Sequence, residues 1–106
     1  MNKKIIDALK PLGVDVAFEH YEGEADTFIR FFFLPSVQFD ADDEEIYKTH
    51  YVQIDLFTKW NYLQLAKDIE NAMKQAGFKK NFEDQTYETD TKFYHKIFRF
   101  YYIEEE

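Results

Sequence analysis

Between residues 47 and 76 the chain, YKTHYVQIDLFTKWNYLQLAKDIENAMKQA, changes hydrophobic period halfway along, so its fold must join a strand directly to a helix there. In the first part Lys48, His50, Val52, Ile54 and Leu56 alternate with Tyr47, Thr49, Tyr51, Gln53, Asp55 and Phe57, the two-residue repeat of a strand. Val52, Ile54 and Leu56 should face a core. From Asn61 the spacing lengthens to Tyr62, Leu65, Ala66, Ile69, Ala72, Met73 and Ala76, one stripe of a helix. Asn61 or Thr58 is placed to cap the helix start, and Gly77 stands where a left-handed residue ends it.

The remaining segments read as additions to this strand and helix. Asn2 is a fair cap for a short helix with Ile5, Ile6 and Leu9 on one side, ended by Pro11. Val14, Val16 and Phe18 alternate with polar or small residues in a first strand, Glu22, Gly23 and Glu24 supply a turn, and TFIRFFFL (27–34) forms a second strand. That strand is apolar on both faces apart from Arg30, which places it inside the sheet or against another subunit. Past Gly77, Phe78, Lys80 and Phe82 suggest a short fourth strand and residues 83–90 a polar turn. The last strand, TKFYHKIFRFYYI (91–103), puts Phe98, Phe100 and Tyr102 on one side and Phe93, Ile97 and Tyr101 on the other. Glu104, Glu105 and Glu106 read as a solvated tail.

The order α-β-β-β-α-β-β predicts an α+β fold: an antiparallel-rich sheet of about five strands with two helices on one face. At 106 residues a single domain, 1–106, is expected. The sheet face away from the helices would stay rich in Tyr and Phe, and small monomers rarely leave a large aromatic patch in water.

Composition narrows the function classes. With 45% hydrophobic and 20% aromatic residues the chain is too apolar for disorder, yet no apolar run approaches the roughly 20 residues of a membrane span. A folded, soluble protein is expected, with no membrane partner. The N-terminal segment has two lysines but lacks the apolar core of a signal peptide. No cysteine is present, which excludes disulfides, thiolate chemistry and cysteine metal sites. A net charge of -8 opposes tight nucleic-acid binding, because phosphates call for clustered Lys and Arg.

Residues that could do chemistry are sparse. Ser36, the only serine, follows Pro35 without the glycines of a nucleophile elbow. His20, His50 and His95 fall on separate segments and show no HExxH or HxH spacing, although His50 and His95 could become neighbours across two strands. Asp40, Asp42, Asp43, Glu44 and Glu45 form an acidic cluster in a loop between the second and third strands. An EF-hand would need a glycine and a terminal glutamate that DADDEEIYKTHY lacks, so a solvated acidic loop is the simpler account than a metal site. No phosphate-binding glycine loop is present, and no cofactor is implied. These observations favour an interaction protein over an enzyme.

Several stretches also resemble a known family. The opening KIIDALKPLGVDVAFEHYEGEADTFIRFF, the acidic DADDEE, the strand HYVQIDLFTKWNY and the closing AMKQAGFKKNFEDQTYETDTKFYHKIFRFYYIEE look like small tail components of long-tailed phages and prophages. In layout they are similar to tail terminator proteins, which complete the tail and join it to the head. The most specific pieces are Thr58, Lys59, Asn61 and Tyr62 at the helix start, 76–79 (AGFK) at its exit, and Tyr94 to Lys96 with 99–102 (RFYY) in the last strand.

The resemblance carries no catalytic motif. It implies a structural protein forming a ring, typically of six subunits, that caps the tail tube and offers a surface to the head connector. The implied partners are further copies of the chain, the tail tube protein and the head connector protein, with DNA passing through the ring. The implied location is the virion tail, with assembly in the host cytoplasm. On that account Asp40, Asp42, Asp43, Glu44 and Glu45 would line the channel or dock a basic partner. The alternative is an adaptor or regulatory domain binding one partner through its aromatic sheet face. A small enzyme using His50, His95 and nearby carboxylates is the remaining class.

Overall fold

The period change at residues 47–76 appears as a long strand running into a helix, and everything else packs around that pair. A computed structural model describes residues 1–35 and 47–105, as α1 (Asn2–Leu9), a 3-10 turn (Lys10–Leu12), β1 (Asp15–Phe18), β2 (Thr27–Leu34), β3 (Tyr47–Thr58), α2 (Leu63–Gln75), β4 (Lys79–Glu88) and β5 (Phe93–Glu105). The acidic cluster Asp40, Asp42, Asp43, Glu44 and Glu45 lies outside the described residues, as do Ser36 and Glu106.

The fold is α+β. Five strands form one sheet in the order β1-β2-β3-β5-β4. All neighbours are antiparallel except β1 and β2, which run parallel from Asp15↔Phe28 to Phe18↔Phe31. The turn expected at Glu22 to Glu24 therefore does not make a hairpin; residues 19–26 carry the chain back along the sheet instead. Tyr21 anchors that return, donating to Asp15 Oδ2 at 2.7 Å and accepting from the Ala25 amide at 3.1 Å.

One hydrophobic cluster joins both helices to one sheet face. Ile5 and Leu9 of α1 and Ala66, Ile69 and Met73 of α2 pack on Ile29, Phe31, Val52, Ile54, Leu56, Phe98 and Phe100, all buried. The helix stripe and the inward set of β3 are the ones the periodicity marks. Where α1 begins, Met1 rather than Asn2 stands at the cap position, and no side chain caps the helix. At α2 the two candidates share the work just outside the helix: Thr58 Oγ1 accepts from the Trp60 amide at 3.2 Å and Asn61 Oδ1 from the Leu63 amide at 2.9 Å.

The end of α2 is fixed by Gly77. Its φ is +96°, the Phe78 amide donates back to the Met73 carbonyl at 3.0 Å, and the Gly77 amide to that of Lys74 at 3.0 Å, the paired bonds of a Schellman cap. A Cβ at Gly77 would also stand 3.0 Å from Tyr102 Cε2, so the helix exit and β5 approach as closely as glycine permits.

β4 is longer than expected. It runs ten residues, through the stretch that reads as a polar turn, because a strand at the sheet edge with few buried side chains lacks an apolar period. A bulge between Lys80 and Phe82 also breaks the alternation, pairing Lys80 with Phe100 but Phe82 with Arg99. Phe82 is thereby turned to the helix-free face.

Candidate functional site

The helix-free face of the sheet is the candidate functional surface. It presents Phe28, Arg30, Phe32 and Leu34 from β2, Tyr51, Gln53, Asp55 and Phe57 from β3, and Phe93, His95, Ile97, Arg99 and Tyr101 from β5. Strand alternation alone accounts for this set.

At the centre is a buried carboxylate. The Asp55 side chain is 0% exposed although neither described helix covers it. Its Oδ2 accepts from Arg30 Nη2 at 2.8 Å, and its Oδ1 accepts from Gln53 Nε2 at 2.8 Å and contacts His95 Nε2 at 3.1 Å. Gln53 in turn accepts from Arg99 Nε at 3.0 Å, and Glu88 lies 3.7 Å from His95 Nδ1. Burial pushes the Asp55 carboxyl up, but the bonds from His95, Arg30 and Gln53 outweigh it and hold the group below its ordinary value. The Asp55 charge is thus matched within the face.

Rings shield this cluster. Tyr21 stacks on Phe28 at 3.9 Å between centroids, Phe28 on Phe57 at 4.9 Å and Phe57 on His95 at 4.2 Å, a ladder crossing three strands. Phe93 meets Phe28 and Phe57 edge-on. Arg30 lies over Phe57 with 5.2 Å from its guanidinium carbon to the ring centroid. Together these rings help keep water from Asp55; Phe57 is itself buried, and Phe28, Phe93 and His95 are half-buried.

The histidines do not converge. His50 pairs with Tyr102 and His95 with Phe57, so they lie on opposite faces about 24 Å apart along β3. An odd separation of seven residues between His50 and Phe57 forces this. His50 Nε2 contacts Glu104 Oε1 at 2.8 Å, which draws into the strand a glutamate expected in a solvated tail, and His20 is exposed beyond β1. Among the described residues no three His, Asp or Glu side chains gather as metal ligands.

A second charged row ties α2 to the sheet on the helix side. Lys80 bonds Glu70 at 3.0 Å and also Glu83, and the nearly buried Lys96 reaches Glu83 and Gln85 at 3.1 Å each. Lys80 and Lys96 hold Glu83 below its ordinary carboxylate value, and Lys80 does the same for Glu70. Neither row was marked by sequence spacing. Arg30 and Asp55, as isolated charges in the most apolar strands, were the available signal for the first.

No protein-family model and no curated protein matches this chain.

Proposed function

We propose that the chain is a structural subunit of a phage tail terminator ring, which caps the tail tube and presents a surface to the head connector. The observation that supports it best is the sheet itself, clothed by helices on one face and aromatic and charge-matched on the other. Five strands about 4.8 Å apart, over about 35 Å of strand, give roughly 700 Å² of such surface, close to the ~800 Å² each partner contributes to a standard interface. A ring also needs a contact repeated head to tail about a closed axis. In this reading the chain works in the virion tail after assembly in the host cytoplasm, with itself, the tube protein and the connector as partners.

Native mass spectrometry and sedimentation across protein concentration, with and without purified tail tubes, test the proposal. The expected result is a monomer or weak oligomer when free and a ring on tube ends. A tight symmetric dimer at every concentration refutes it, and a strict monomer that never binds tubes favours the adaptor alternative.

A further inference from the structure

One corner of the helix-free face departs from its charge matching. Arg99 of β5 stands in register between Gln53 of β3 and Phe82 of β4, and Lys79 stands opposite Tyr101, the next β5 residue on that face. Arg99 and Lys79 are both exposed. Arg30, the chain's other arginine, is paired with Asp55, whereas neither Arg99 nor Lys79 has a carboxylate partner among the described residues, although the chain holds 21 acidic residues to 13 basic ones. Asp84 shares the face two positions past Phe82, yet its Oδ1 accepts from the Gln85 amide at 2.9 Å instead.

The Arg99 guanidinium is nevertheless held in place. Its Nε donates to Gln53 Oε1 at 3.0 Å, and its carbon lies 4.8 Å from the centroid of the Phe82 ring. The Gln53 amide is oriented in turn by Asp55, because its Nε2 donates to Oδ1 of that buried carboxylate at 2.8 Å and leaves Oε1 for Arg99. Gln53 is 9% exposed and Asp55 not at all, positions where apolar side chains would bury without the desolvation cost of polar ones. What the polar row adds is an arginine whose position is set through Gln53. Phe82 reaches the stack through the bulge after Lys80, an irregularity of the kind that re-aims a side chain, and stays 42% exposed.

With Nε taken, the terminal nitrogens of Arg99 have no hydrogen-bond partner among the described residues, and they form the planar fork that matches the two oxygens of a carboxylate. A phosphate suits the corner less, because it calls for clustered cations and a net charge of -8 repels a multiply charged anion more than a single carboxylate. Phe82 adds exposed apolar area directly beside the fork, and Arg with aromatic side chains is the combination that dominates binding energy between proteins. We infer that Arg99, set in place by Asp55 and Gln53, receives an Asp or Glu side chain of a protein partner, with an apolar neighbour of that side chain lying on Phe82. The inference rests on the reading of this face as an interface and names the chemistry it accepts.

NMR titration of the whole chain tests the site, following the Arg99 Nε–H and the backbone amides of β4. The probes are the capped dipeptides acetyl-Phe-Glu-amide and acetyl-Phe-Gln-amide, and inorganic phosphate. The Glu peptide is expected to shift these signals saturably and to bind about tenfold more tightly than the Gln peptide or phosphate, as one charge-assisted hydrogen bond would give. Arg99→Lys and Gln53→Met, each checked for folding by circular dichroism and followed through the β4 amides, should lose that preference for Glu over Gln. A merely structural role of Gln53 would leave the preference intact. No shift with any probe, equal binding of the two peptides, tighter binding of phosphate, or an unchanged preference in both variants would overturn the inference. Purified tail tubes separate it from the ring proposal. Tubes bound equally by the wild type and Arg99→Glu would overturn the inference and spare the ring, whereas peptide selectivity without tube binding would support the inference and count against the ring.

Discussion

Replacing Asp55 with Asn tests whether the helix-free face is organised by its buried charge. The change keeps the shape but turns one acceptor oxygen into an amide donor. That donor must face either Arg30 Nη2 or the Gln53 and His95 nitrogens, all of which now approach Asp55 within 3.1 Å. Removing one partner of a fully buried pair costs about 3–5 kcal/mol. Arg30, however, is 33% exposed and can recover hydration, which brings the expected loss nearer to one charge-assisted hydrogen bond, about 2–3 kcal/mol. For a domain of this size that is roughly 10–20 °C in Tm.

The pH dependence gives a second reading of the same group. Asp55 ionises more readily when folded, so its contribution is complete above the unfolded value of about 3.9 and is lost as pH falls from there through the lower folded value. Protonated Asp55 resembles Asn. Urea unfolding followed by circular dichroism should therefore show a wild-type advantage over Asp55→Asn at pH 7 that narrows on titration to about pH 3. An advantage under about 0.5 kcal/mol at pH 7, or one that stays constant with pH, would refute the assigned role of Asp55.

Ile69→Ala on the buried stripe of α2 should cost about 2–5 kcal/mol, whereas the exposed Asn71→Ala should stay within about 0.5 kcal/mol; equal urea midpoints would mean that the helix packs through another face. Gly77→Ala should lose about 1–2 kcal/mol from its left-handed φ, with the Tyr102 ring displaced in addition, which aromatic NMR shifts would register. Changing Asp42, Asp43 and Glu44 to Asn and Gln separates the roles proposed for the acidic cluster: slowed DNA ejection from normally joined particles supports a channel, lost head joining supports docking, and wild-type behaviour in both removes either role.

How far the chain could be read in advance follows from the range of each interaction. The two faces of β3, the stripe of α2 and its stop at Gly77 depend on neighbours within a few residues, and sequence period displays them. The Asp55 cluster joins residues 25 and 40 positions apart, so it exists only once β2, β3 and β5 are in register. Its only trace in the sequence was a single Arg and a single Asp placed where apolar residues would be easier to bury. The start of β4 was legible at Phe78, Lys80 and Phe82, but its extension to Glu88 escaped because its ten residues are mostly exposed and its bulge breaks the alternation a strand normally shows. The parallel β1–β2 pair escaped because a polar segment with a glycine looks the same whether it reverses the chain or carries it back.

Charge decides which surfaces of two copies can meet. Each copy carries -8, so association brings like charges together and is opposed most at low salt. Asp40, Asp42, Asp43, Glu44 and Glu45 account for a large part of that excess, whereas the helix-free face sets Arg30, Arg99 and Lys79 against Asp15, Asp55, Asp84 and Glu88 and is nearly balanced. An aromatic, balanced surface loses little when ions screen it, while the repulsion between whole subunits falls steeply as the Debye length drops from about 30 Å at 0.01 M to about 8 Å at 0.15 M. Self-association measured by sedimentation should consequently strengthen over that range. Association that weakens steadily with added salt would place ion pairs, rather than the aromatic surfaces, at the centre of the contact.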